Sequence, residues 1–64
     1  MERRFDVQAK IGSQRYTTRH AAVTARQACE AVEGLENAGY DVRVFDAETG
    51  ERISALTVLR IALG

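Results

Sequence analysis

Phe5, Val7, Ala9 and Ile11 recur at every second position, with Asp6, Gln8 and Lys10 between them. Side chains alternate across a strand, so this period predicts a first strand with one buried side. Gly12-Ser13 follows at once, and glycine at the first central position suits a two-residue type II′ turn. A second strand is expected to return with partner numbers summing to 25. Ala9 would then face Tyr16, Val7 Thr18 and Phe5 His20 on the apolar side. On the polar side Lys10 would face Arg15, Gln8 Thr17 and Asp6 Arg19, the last a candidate ion pair.

The period changes after Thr24. Gln27 stands three residues on, which is capping-box spacing, and Ala25, Ala28, Val32 and Leu35 recur at steps of three or four. These predict a helix over about Ala25 to Ala38, with Arg26, Gln27, Glu30, Glu33 and Asn37 outward and Arg26 placed to pair with Glu30. Gly39 suits the left-handed residue that ends a helix, and Tyr40 can fold back toward Leu35. Gly34, inside the helix, costs about 1 kcal/mol relative to alanine. Tyr40, Val42 and Val44 then alternate with Asp41 and Arg43 as a third strand. The run Asp46 to Glu51 has the acceptors and the glycine of a hairpin loop, and a short fourth strand is expected over about Glu51 to Ile53.

The tail supports two patterns. Leu56, Leu59 and Leu63 have helical spacing after a possible cap at Ser54, while Thr57, Leu59, Ile61 and Leu63 alternate as in a strand. The helical reading of residues 54–63 is the one adopted, with Leu56, Leu59 and Leu63 toward the core and Val58, Ile61 and Ala62 elsewhere. The resulting expectation is an α+β fold: a small ββαββ domain spanning 1–64, an antiparallel sheet in the order 2-1-3-4 with one helix on one face, and an apolar C-terminal tail.

Size sharpens this picture. Sixty-four residues support a thin core, and folds of this size commonly need a disulfide, a metal or another chain. Cys29 is the sole cysteine and His20 the sole histidine, so neither an intrachain disulfide nor a Cys/His zinc set can form. Association remains. The tail cannot turn all of its apolar side chains toward one small sheet, so Val58, Ile61, Ala62 and Leu63 are the expected interface of a homodimer. A 45% hydrophobic and 28% charged composition is that of a folding chain, and Ser54, Thr57 and Arg60 interrupt the apolar tail well short of a membrane span. With Glu2, Arg3, Arg4 and Asp6 ahead of an alternating strand instead of an apolar run, the expectation is a cytoplasmic protein without a membrane partner.

Charge is divided along the chain. Residues 1–26 carry six basic and two acidic side chains, and residues 27–64 carry three basic and seven acidic, formally +4 and −4. Arg4, Lys10, Arg15 and Arg19 are the candidate contacts for an anion, a nucleic acid or an acidic protein, through a basic face of the first hairpin. Against this, Phe5, Tyr16 and Tyr40 are expected on the core side, where they could not stack on bases. His20 has no serine or cysteine at a catalytic spacing and reads as a polar residue at a strand end. Cys29 lies more than a turn into its helix and reads as a small hydrophobe. Glu30, Glu33 and Glu36 read as a solvated face, and Asp46 to Glu51 lacks the alternating ligands of a calcium loop. No motif for catalysis, a metal or a cofactor is present in the sequence. The expected function is therefore a non-catalytic interaction or regulatory module acting as a homodimer, with weak, sequence-tolerant nucleic-acid binding as the alternative.

Overall fold

A computed structural model describes residues 2–64 of the chain. Its elements run β1 (Phe5–Lys10), β2 (Thr17–Val23), α1 (Ala25–Asn37), β3 (Asp41–Asp46), β4 (Arg52–Ile53) and α2 (Ala55–Leu63). The strands form one antiparallel sheet in the order β2-β1-β3-β4, and the two helices make this an α+β fold. Among the described residues no helix is long and apolar enough to cross a membrane.

Local chemistry sets the element ends. The Thr24 hydroxyl accepts from the Gln27 N–H at 3.1 Å, while the Gln27 side chain accepts from the Thr24 N–H at 3.0 Å, so the capping box satisfies two donors at the start of α1. At the other end Gly39, at φ +90°, turns the chain into the left-handed region. Its N–H then reaches the Glu36 carbonyl and the Tyr40 N–H reaches the Leu35 carbonyl, both at 3.0 Å, in a Schellman closure. Ser54 caps α2 by accepting from the Thr57 N–H at 3.1 Å. Asp46 organises the β3–β4 loop. One carboxylate oxygen accepts from Glu48 N–H at 2.8 Å and Thr49 N–H at 3.1 Å, and the other takes Arg3 at 3.0 Å. The Thr49 N–H, the Arg3 guanidinium and the Glu48 N–H, in that order, hold the Asp46 carboxyl below its ordinary pKa.

The core lies between the helices and the central strands: Phe5 and Val7 of β1 and Val44 of β3 meet Ala25, Ala28 and Val32 of α1 and Val58 of α2. Ala9 is buried on the same side of β1. β1 and β3 pair without interruption from Phe5↔Asp46 to Lys10↔Asp41, so the alternation read from sequence carries straight across the sheet centre.

The first hairpin departs from its expected register. Gly12, at φ +58°, and Ser13 do occupy a turn closed by Gln14 N–H to the Ile11 carbonyl at 3.1 Å. The strands, however, join only at Thr17, with pairs Ala9↔Thr17, Gln8↔Thr18, Val7↔His20 and Phe5↔Val23 and irregularities on either side of Val7. The second irregularity contains Ala22, held at φ +52°, whose N–H donates to the Asp6 carboxylate at 2.8 Å. Asp6 is thus occupied by the bulge and is not paired with Arg19. A slip of one residue exchanges the faces of a strand, and here it moves Tyr16 off the core side.

A left-handed non-glycine residue costs roughly 1–2 kcal/mol, and the entropy that glycine loses on folding offsets part of the relief on replacing it. Ala22→Gly is therefore expected to raise unfolding stability by about 0.5–1 kcal/mol, and Ala22→Val to lower it, in urea denaturation; equal effects from both would place the bulge elsewhere.

Candidate functional site

Two surfaces on opposite sides of the molecule remain after the core is built. The first is the outer side of the helical layer. α2 packs chiefly against α1, whose buried positions there are the small residues Ala25, Ala28 and Val32. Val58 enters this gap and is 1% exposed, and Ile61 and Ala62 lie half-buried beside it. The helical reading of the tail is retained, but its rotation is the reverse of the one expected. Leu56, Leu59 and Leu63 stay outside, 59%, 43% and 80% exposed. Of the interface residues named from sequence, only Leu63 is exposed; Val58, Ile61 and Ala62 serve the protein's own core, the β-branched Val58 packing among Ala25, Ala28 and Val32 of α1.

A groove of about 250 Å³ runs between the helices, lined by Cys29, Val32, Glu33 and Glu36 of α1 and by Ala55 and Leu59 of α2 among others. A second recess, sharing Cys29, Glu33 and Leu59 with it, is lined by Arg26, Glu30 and Leu63. Cys29 is half-buried here, and burial, followed by the neighbouring Glu30, pushes its thiol pKa up. A thiol kept protonated is a packing group and not an activated nucleophile. Arg26 and Glu30 do not form the anticipated pair: among the described residues the ion pairs are Arg3–Asp46 and Arg4–Glu2. Glu30, Glu33 and Glu36 on α1 and Arg60 on α2 therefore border the leucines with their charges unmatched.

The second surface is the face of the sheet turned away from the helices. Alternation along β1 and β3 directs Asp6, Gln8, Lys10, Arg43 and Phe45 to it, and Arg52 joins them opposite Phe45. The register shift adds Tyr16. Arg43 lies 4.0 Å and Lys10 5.3 Å from the Tyr16 ring centre, in cation–π range. The Nε of Arg43 is buried without a hydrogen-bond partner among the described residues.

The four cations proposed from sequence do not share a face. Lys10 is on the open face. Arg15 stands exposed in the loop before β2, and Arg4 is held 3.8 Å from Glu2 in an exposed contact of little energetic weight. Arg19 lies 5.1 Å from the ring centre of Tyr40, which alternation from Val42 and Val44 assigns to the helix-covered side. His20 lines a shallow recess with Val23, Gln27, Glu30 and Ala31. Arg43 and Phe45 were absent from the sequence-based candidates, although their places between inward Val42, Val44 and Asp46 marked them as outward. Among the described residues no group of three His, Cys, Asp or Glu side chains is placed to hold a metal ion.

No family model, curated protein or solved structure matches the chain.

The inverted rotation of α2 has a direct consequence for stability. Val58→Ala should cost about 2 kcal/mol, as removal of buried methyl groups does, whereas Leu63→Ala should change the stability of the isolated chain by less than about 0.5 kcal/mol. Chemical denaturation at low protein concentration checks this, and the opposite ranking would restore the rotation expected from sequence.

Proposed function

We propose that this protein is a non-catalytic interaction module that works as a homodimer joined through the outer side of its helical layer. The observation that carries the reading is the exposure of Leu56, Leu59 and Leu63 along one side of α2. Three outward leucines on a nine-residue helix are poorly placed for a solitary domain, and contiguous apolar patches commonly mark contact surfaces.

The occupant we assign is a second copy of the chain, because the rim is complementary to itself. Arg60 shares the outer side of α2 with Leu56 and Leu63, at steps of four and three. The wall of the adjoining groove on α1 carries Glu33 and Glu36. In a two-fold pairing the leucines of one copy would enter the groove of the other, and each Arg60 would approach the other copy's glutamates. Such an interface repeats every contact twice and closes, so it does not propagate into a filament. Burial of the leucines would supply about 25 cal/mol per Å² of apolar surface removed from water, stabilisation of the kind that a disulfide-free chain of this length needs. The unmatched charges at the rim would set register more than affinity.

Sedimentation equilibrium over a dilution series tests the proposal. The expected result is a monomer–dimer equilibrium that shifts to monomer in Leu59→Asp. Arg60→Glu should weaken it at least several-fold, and a second change, Glu33→Arg with Glu36→Arg, should restore part of the loss. A folded monomer at every concentration up to several hundred micromolar would overturn it.

A further inference from the structure

The open face of the sheet lies on the other side of the molecule from the leucines, and it brings cations and aromatic rings together. From its arrangement we infer that this face is a binding platform for single-stranded nucleic acid, centred on Arg43 and flanked by Tyr16, Lys10, Phe45 and Arg52. This inference is independent of the dimer, whose contacts are on the helical layer.

Lys10, Arg43 and Arg52 project to this face, and none of them is in an ion pair among the described residues. Two acids share the face. Asp6 has one carboxylate oxygen engaged by the Ala22 N–H at 2.8 Å, and Asp41 stands across from Lys10 at the sheet end. The centre of the face, from Arg43 to Arg52, is therefore cationic, while the glutamates of α1 lie on the opposite layer. A polyanion approaching the molecule meets attraction on the sheet side and repulsion on the helix side.

Single-strand binders combine cations for the backbone with aromatic faces for the bases. Phe45 is half-buried on the open face, two residues along β3 from Arg43, a spacing of roughly 7 Å. Tyr16 sits beside Arg43 on the other side, its ring 4.0 Å from the guanidinium carbon. Arg43 thus stands between two aromatic side chains and is itself a planar group on which a base can stack. Its Nε is enclosed and has no hydrogen-bond partner among the described residues, so a phosphate or base acceptor would meet Arg43 at its terminal guanidinium nitrogens.

A duplex fits this face less well. Among the described residues no helix or protruding ribbon stands on the open face to enter a groove, and stacking onto Phe45 requires bases that are already unstacked. Recognition by stacking and phosphate contact carries little sequence information, so the platform should accept DNA and RNA single strands of varied sequence.

Fluorescence anisotropy with labelled oligo(dT) and oligo(rU) of about 12 nucleotides, within the site sizes of single-strand platforms, is the test. Both should bind, with a slope of about −2 in log affinity against log salt, since three cations each release roughly 0.7 counterion per phosphate neutralised. Lys10→Glu with Arg43→Glu should weaken binding at least tenfold. Phe45→Leu, which keeps an apolar side chain and removes the ring, should weaken it several-fold while thermal unfolding shows the variant folded. Leu59→Asp, on the helical layer, should leave the affinity per site within about twofold. Absence of any anisotropy change at high micromolar protein in low salt would overturn the inference. So would equal affinity for a duplex, equal displacement by polyglutamate, or binding indifferent to the Phe45 and Arg43 variants.

Discussion

The packing of α2 against α1 governs most of what this small fold presents to its surroundings. A domain of about 60 residues buries only some 60% of the surface its unfolded chain exposes, so its core has few positions to allot. Here Phe5 is the one aromatic among them, and the helix side is made of Ala25, Ala28, Val32 and Val58. Of the α2 side chains Val58 fills the contact with α1, with Ile61 and Ala62 half-buried beside it, and the three leucines are left outside. The same economy leaves β2 almost uncovered, since α1 lies mainly over β1 and β3 and α2 packs on α1. An exposed surface on each layer is thus a product of core size, and both functional proposals follow from it.

The second constraint is the register between β1 and β2. Two local shifts are absorbed over seven residues of β2, and the Asp6 carboxylate secures one of them by taking the Ala22 N–H. The shifts twist and break up an edge strand that would otherwise offer a regular row of unpaired amides and carbonyls, which protects against uncontrolled pairing. They also decide the face on which Tyr16 appears. Had the pairing followed the tight hairpin register, Tyr16 would have stood beside Ala9, and Arg43 would have had no ring against it.

The features legible in the sequence are those determined within a few residues of one another. Thr24 with Gln27, Gly39 with Tyr40, Asp46 with the loop that follows it, and Ser54 as a cap all act through bonds spanning a handful of positions. The α+β class, the four antiparallel strands and the C-terminal helix follow from these signals and from the alternation in β1 and β3. The rotation of α2 was not legible, because Leu56, Leu59 and Leu63 make a helical stripe as acceptable as Val58, Ile61 and Ala62. The choice between them is made by residues of α1 some thirty positions away. The hairpin register was hidden for a different reason: the left-handed position at its second bulge holds alanine, where glycine or asparagine would have announced it. One of the four cations proposed from sequence, Lys10, reaches the open face beside Arg43, and the error in Arg19 descends from the same register.

If core size compels the leucines outward and a second copy covers them, folding and association are linked, and the stability of the native state depends on protein concentration. The urea midpoint at several protein concentrations measures that linkage directly. Each tenfold increase adds about 1.4 kcal/mol to a dimer's stability, so the midpoint is predicted to rise by roughly 0.5–1 M per decade. The rise should vanish in Leu59→Asp. A midpoint that stays constant from low micromolar to several hundred micromolar protein would contradict the account, because the chain would then be stable alone with its leucines in water.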